Sequence, residues 1–330
     1  MSRLVDWLYV FRANTMPVVL ITVLTGFMAA GGDSGSPLAA GFIAFAWLAH
    51  HFTFGLNSLL DTPYDTLNKP KEQHPLASGA IFLKTAALVI HTGLFLTALL
   101  GCALALLGRG NASLSLTFLL LSLVLGYAYN AGLSKTTVWS SAPLSLSFVF
   151  LFLFAYFATT TSAVPLVPPL AAYIFLAFWF EHSWEGNLKD LGESGANLLH
   201  DLGVRTRRGV LKIPGPARAY AWGLKLAGIG LITPVILAGN PPLFTRALWF
   251  ALVSIVIFSC HELTRGGRWG RNRLLFWIGC EELASFSLAL AAVTQLAGAV
   301  EVSILILFSF VWVAVLSRVM YRESFGRWRG

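Results

Sequence analysis

The sequence predicts an all-α protein, a multi-pass transmembrane helical bundle, and three observations carry that prediction. Hydrophobic residues make up 56% of the 330 and charged residues only 12%, about half the charged share of a soluble domain. Mean hydropathy is +0.72. The apolar residues fall in nearly uncharged runs of about 20, the length a helix needs to cross a bilayer. Peptide groups facing lipid have to be satisfied within their own segment, so such runs are helices. A closed barrel would need short segments of alternating polarity, which this sequence lacks.

Ten runs qualify, at roughly 17–31, 39–60, 82–107, 114–130, 139–161, 168–187, 219–238, 244–260, 275–297 and 301–319. The connectors at 31–37, 161–168 and 239–242 carry no Lys or Arg, whereas those around 61–81, 131–138, 188–218 and 261–273 are longer and basic. With a cytoplasmic N-terminus, only Arg109 and Arg246 of the 23 Lys and Arg lie near the outer side. The positive-inside rule therefore puts both termini and the basic loops in the cytoplasm of a cell or inner membrane. No break in composition divides the chain, so residues 1–330 read as a single domain. The net charge of +8 sits in short loops between apolar runs, which is a topology signal: the expected partner is the lipid bilayer, with no nucleic acid. Cys102, Cys260 and Cys280 lie in or beside apolar runs without C-x-x-C spacing, so neither a disulfide framework nor a zinc site is expected. The opening MSRLVDWLYVFR, with its acid and its aromatics, does not read as a cleavable signal.

Three polar constellations interrupt this pattern. At the end of the second run, Asn57, Asp61 and Asp65 are spaced by four, which stacks them on one helix face, with Pro63 set to kink or end the helix. Oxygen donors at that spacing suit Mg²⁺, which takes one or two carboxylates together with substrate phosphates. Lys69 and Lys71 add positive charge for a diphosphate. After the sixth run come Glu181, Glu185, Asn187, Asp190 and Glu193, then Asp201, Gly203, Arg205 and Thr206. Two acidic clusters on two loops of the same side can hold two or more Mg²⁺ ions around one diphosphate. At the end of the fourth run, Tyr129 offers a hydrogen bond and Lys135 a charge for a phosphate oxygen. The plainer alternatives are a helix end with solvated charges, a hydrophilic loop that collects acids, and a lysine that anchors topology.

Taken together, these elements resemble the UbiA superfamily of intramembrane prenyltransferases. The N-x-x-x-D-x-x-x-D motif after that family's second helix matches Asn57, Asp61 and Asp65, and the R-P-L-x-S-G turn that follows matches His74-Pro-Leu-Ala-Ser-Gly79. Tyr129 and Lys135 match the tyrosine and lysine between its fourth and fifth helices, and Asn187, Asp190 and Gly203-Val-Arg-Thr206 match its second acidic motif. The opening Phe11-Arg12-Ala-Asn-Thr-Met-Pro17 is similar to the family's entry to its first helix. The chain departs from the pattern at Ser58, where an aspartate is frequent, at His74, and in the stretch between Asp190 and Asp201. That last departure leaves Glu185, Glu193 or Asp201 to complete the second motif.

The resemblance implies nine to ten helices around a central cavity and Mg²⁺-dependent transfer of an isoprenyl group from an isoprenyl diphosphate to a hydrophobic or aromatic acceptor. In that picture Asn57, Asp61, Asp65, Asp190 and Glu193 hold metal, Lys135 and Tyr129 are catalytic, and Lys71, Arg12, Arg205, His50 and Asn187 contact substrate. Departure of diphosphate leaves an allylic cation, for which Phe52, Phe54, Trp139, Trp179 and Trp184 are candidate aromatic neighbours. His50, seven residues before Asn57, is about 20° from it around a helix and faces the same side; a histidine satisfied by a neighbouring helix is the alternative. Of Glu281 and Glu282, set inside the ninth run, one is expected to pair with Arg271 or Arg273 or to line the cavity. Two rivals stand beside the transferase: a terpene cyclase on the same scaffold, and a transporter.

Overall fold

The computed structural model describes residues 3–66, 74–133, 139, 141–191, 197–207, 210–238, 241–268 and 270–321. A short amphipathic helix, α1 (Arg3–Val10), precedes α2 (Met16–Ala29), α3 (Pro37–Asp65), α4 (Leu83–Leu107), α5 (Ala112–Ala128), α6 (Ser141–Thr159) and α7 (Val167–Phe180). The chain continues through α8 (Gly215–Leu237), α9 (Leu243–Thr264), α10 (Arg271–Ala291) and α11 (Ala299–Tyr321). Each of the ten apolar runs thus contains one of the helices α2–α11.

Among the described residues, eight of these helices are long and apolar enough to cross a membrane, and a ninth span forms if α1 and α2 count as one segment bent by 56°. The sixth run gives less helix than expected. Its α-helix stops at Phe180 after 14 residues, because the polar stretch Glu181–Gly186 winds as a π-helical turn. Conversely, α3 runs through Pro63 to Asp65, so the proline does not end the helix before the second aspartate.

Helices α2 to α10 pack each against the next in chain order, and α10 closes the ring by packing against α2. All 14 residues of α2 are buried, as expected of a helix that is apolar on every side. Gly26 allows its closest approach to α6: a Cβ there would collide with the Phe152 carbonyl oxygen and sit 3.2 Å from Ala155 Cβ. Small residues at such crossings let helix backbones approach where lipid supplies no hydrophobic drive. By contrast α4, α5 and α11 expose large apolar side chains such as Leu88, Leu107, Leu120 and Leu307, a surface that only an apolar solvent tolerates over several helices. The chain is an integral membrane protein.

Helix α11 lies outside the ring, against α1, α2, α10 and the 3₁₀ turn Ala13–Thr15. There the Trp312 indole Nε1 donates to the Ala13 carbonyl at 2.8 Å. Three short strands, β1 (Arg205–Arg207), β2 (Val210–Lys212) and β3 (Gly267–Arg268), form one antiparallel sheet in that order. This small departure from an all-α fold ties the segment after α7 to the turn between α9 and α10.

A Gly26→Leu substitution is expected to force α2 away from α6 at a cost of about 1–3 kcal/mol. A thermal melt in detergent should show a clearly lower midpoint than the parent protein, whereas Leu→Ala at lipid-facing Leu107 should barely move it.

Candidate functional site

The site begins with Arg12, which follows α1 in the left-handed conformation at φ 46° and is the one non-glycine residue with positive φ among those described. A side chain there strains the backbone, and such strain persists only where neighbours hold it. Three residues on one face of α3 do so. The His50 ring, through Nε2, makes a 3.1 Å bond to the Arg12 carbonyl. The guanidinium lies 5.7 Å from the centroid of the Phe54 ring, and its Nη2 donates to Asn57 Oδ1 at 2.8 Å. Since the carbonyl can only accept, the His50 proton sits on Nε2, and the buried Nδ1 has no partner among the described residues. Positions 50, 54, 57 and 61 follow the helical repeat, so the face that clamps Arg12 continues into Asp61.

Opposite this face stands Tyr129, at the start of the π-helical turn Tyr129–Leu133 that ends α5. The charges of Arg12, Asp61, Asp190 and Glu181 all act on its phenol. Asp61 and Asp190, from two separate segments, thus both lie within electrostatic reach of one side chain. The Tyr129 ring meets the His182 ring edge-on at 6.1 Å. Both π-helical turns thus lie at this site, where the wider helix re-aims side chains that a regular α-helix would place elsewhere.

The second acidic segment is held by its own amides. Asn187 Nδ2 donates to the carbonyls of His182 at 2.9 Å and Ser183 at 3.2 Å, while its Oδ1 accepts from the Leu198 N–H at 3.2 Å. Asn197 Nδ2 donates back to the Asn187 carbonyl at 2.8 Å. The Asn187 side chain is thereby engaged in shaping the π turn and its exit. Arg205 lies on exposed β1, its Nη1 bound to the carbonyls of His200 at 2.7 Å and Val204 at 2.9 Å. Of the acids left to complete the second motif, Asp201 is exposed and Glu185 is 1% exposed; Glu193 lies outside the described residues, as do Lys69, Lys71 and Lys135.

Deeper in the bundle lies a cluster whose centre the sequence reading missed. Lys225 on α8 is 5% exposed and Glu281 on α10 is 1% exposed, and the two form an ion pair. Lys225 also donates to Ser285 Oγ at 3.2 Å, which donates to Glu281 Oε1 at 2.5 Å. The ammonium sits 3.8 Å from the Phe180 ring centroid, and the Tyr173 hydroxyl donates to the Ser285 carbonyl at 2.7 Å. Of the arginines open to one of Glu281 and Glu282, Arg273 binds Glu262 at 2.7 Å, just outside the apolar stretch, and Glu281 has its cation on the facing helix. A lysine inside an apolar run was the available signal.

The candidate aromatics separate in space. Phe54 borders Arg12. Phe52 packs on Phe11 and over Gly93, Trp184 is fully buried, and Trp179 Nε1 donates to Tyr220 Oη at 2.6 Å. Trp139 is exposed, 6.3 Å from Trp179.

A ring of apolar helices that carries carboxylates, an arginine and a tyrosine from separate segments defines a membrane protein with a polar site in its bundle. Comparison with known proteins agrees. The chain belongs to the UbiA prenyltransferase family, whose model matches residues 19–277. Solved structures of similar fold include a UbiA homologue from Archaeoglobus fulgidus bound to GPP and Mg²⁺, at 16% identity and TM-score 0.61, covering 88% of this chain and 99% of that one. A UbiA homologue from Aeropyrum pernix K1 aligns at 16% identity and TM-score 0.58 over 92% of this chain and 96% of its own. A digeranylgeranylglyceryl phosphate synthase aligns at 17% identity and TM-score 0.58 over 88% and 99%. No curated protein matches the chain.

Asn187→Ala would strip two carbonyls and one N–H of their partner, at about 1–3 kcal/mol for the buried groups left unpaired. Hydrogen exchange should then quicken at residues 183–199 while the amides of α2 and α6 keep their protection.

Proposed function

We propose that this chain transfers an isoprenyl group from an isoprenyl diphosphate to a hydrophobic or aromatic acceptor, at the cytoplasmic end of the bundle. The reading is supported most by Tyr129, which the charges of Asp61 and Asp190, from two segments, both reach, together with that of the clamped Arg12. Family membership and the fold shared with a GPP- and Mg²⁺-bound homologue support it.

Asp61, Asp65 and Asp190 are hard oxygen donors of the kind Mg²⁺ takes, and since no three His, Cys, Asp or Glu side chains among the described residues gather to hold a metal ion by themselves, the substrate's phosphates would have to supply part of the shell. Mg²⁺ commonly takes one or two carboxylates and completes its shell with phosphate oxygens and water, so two loops can each supply part of the coordination. When bound, Mg²⁺ would neutralise the diphosphate and ease its departure.

This chain's own residues do the rest. Arg12, fixed by His50 and Asn57, presents a charge that needs no reorganisation as the leaving group gains its electron pair. Asn57 holds that arginine and borders the diphosphate. The Tyr129 phenol can donate to a diphosphate oxygen once the acids around it are engaged. The allylic C–O bond breaks with its electrons passing to diphosphate, and the allylic carbon bonds to the acceptor's nucleophilic atom, which then loses its proton. Phe54 offers a π face beside the leaving group, worth about 0.5–2 kcal/mol to a nearby cation. The surrounding apolar helices keep out water, which would capture the cation first. Lys71, Lys135 and Glu193 complete the proposed diphosphate and metal contacts, and Arg205 stands at the exposed rim.

Asp61→Ala and Asp190→Ala are each expected to lower diphosphate release by about 10²–10³-fold and to abolish Mg²⁺-dependent binding of an isoprenyl thiodiphosphate. Unchanged binding in both variants would overturn the reading. Diphosphate release that yields only an acceptor-free hydrocarbon would replace the transferase with a cyclase.

A further inference from the structure

The three-stranded sheet has an outer face that the proposed reaction leaves largely unused. Arg205 and Arg207 are two apart on β1, so their side chains leave the sheet on the same side. The register pairs Arg205 with Lys212 and Arg207 with Val210, and Val210 in turn with Arg268 on β3. Residues directly opposite one another share a face, so Arg205, Arg207, Lys212 and Arg268 stand together, all of them exposed. The alternate position of β2, Leu211, is buried on the other face in a cluster that includes Leu199, Val204 and Ala217.

No carboxylate among the described residues neutralises this face. Arg207, Lys212 and Arg268 make no side-chain hydrogen bond or ion pair, and Arg205 binds the carbonyls of His200 and Val204. Glu262, in the last turn of α9, is shared between Arg265 at 2.9 Å and Arg273 at 2.7 Å, one acid for two guanidinium groups. Cations directly opposite one another, as at Arg205 and Lys212, repel, and a surface of one sign attracts its counter-charge.

The position of the sheet says where that counter-charge lies. Lys212 is three residues before α8 begins, and β3 is three residues from the end of α9 and three from the start of α10. Three residues reach at most about 11 Å, and the headgroup zone adds about 5–8 Å to each side of the hydrocarbon. Three membrane helices therefore tether the sheet at the level of the headgroups, where long basic side chains extend to lipid phosphates. Trp222 on α8 and Trp277 on α10, both half-buried, lie about two turns further in, as aromatic residues do where headgroups meet hydrocarbon.

We propose that the basic face of this sheet is a docking surface for anionic lipid headgroups of the leaflet it borders. A lipid phosphate brings both the missing charge and the acceptor oxygens that a guanidinium binds two at a time. Free phosphate and acidic proteins carry the same charge, but lipid alone is confined to the level at which the helices hold the sheet. The inference goes beyond prenyl transfer and does not depend on it.

The test titrates the full chain, in micelles of an uncharged detergent, with dioleoylphosphatidylglycerol or dioleoylphosphatidylcholine and counts bound lipid by native mass spectrometry. The expected result is tighter binding of the anionic lipid. Lys212→Gln and Arg268→Gln should each reduce that preference about fivefold, the effect of one cation at a charged surface. Arg207→Gln, Lys212→Gln and Arg268→Gln combined should reduce it by about tenfold or more, and the single variants give the answer should the triple variant fail to fold. Raising the salt from about 0.1 to 1 M, which shortens the screening length from about 10 to about 3 Å, should weaken binding of the anionic lipid and spare the neutral one. Equal binding of the two lipids, or a preference that survives all three substitutions, would overturn the proposal. Displacement of the anionic lipid by millimolar inorganic phosphate would assign the face to a free anion instead. Tighter binding of hexaglutamate, sensitive to the same substitutions, would assign it to an acidic protein, and either of these results overturns the proposal too. Prenyl transfer is not the readout, so this inference and the prenyltransferase reading fail separately.

Discussion

A charge placed in an apolar bundle has to be compensated by groups that other segments deliver, because lipid cannot solvate it. That constraint organises this molecule. Arg12 reaches Asn57 and Phe54 only because His50 and the turn after α1 hold its backbone in the left-handed region. Lys225 survives inside α8 because Glu281 and Ser285 face it from α10. In both cases the compensation joins elements far apart in sequence, so the same contacts that pay for the charge also fix the walls of the site.

The ring order of α2 to α10 puts the ends of α3, α5 and α7 on one side of the bundle. There two π-helical turns open at Tyr129 and Glu181, widening the helix where polar side chains enter the bundle. Asn187 and Asn197 then fasten the second turn to the segment that follows. Helix α11, which lies beyond the family match at 19–277, braces the Arg12 turn from outside through Trp312 and the Ala13 carbonyl.

Much of this was legible in the sequence because the relevant signals are local. Apolar run length gives the ten helices, and the four-residue spacing of Asn57, Asp61 and Asp65 gives a shared face. The same periodicity extends back to His50, which is why its side could be read before any partner was known. What was not legible depends on the facing helix. Nothing near Glu281 in sequence announces Lys225, 56 positions away, and the arginines that sequence offers, Arg271 and Arg273, are merely the nearer ones. Asn187 reads as a ligand by motif, yet the structure engages its amide with three backbone groups, a use that becomes visible only once the π turn has formed. The shortness of α7 has the same origin, since hydropathy registers the polar residues after Phe180 without revealing the change in helical pitch.

The central claim is that Asp61 and Asp190, from separate segments, act on one shared ligand. A double-mutant cycle measures this directly: Mg²⁺-dependent binding of geranylgeranyl thiodiphosphate to the parent, Asp61→Asn, Asp190→Asn and the double variant. A shared ligand predicts a coupling of roughly 0.5–3 kcal/mol between the two substitutions. Losses that simply add, within about 0.5 kcal/mol, would place the two carboxylates in independent sites and contradict the account.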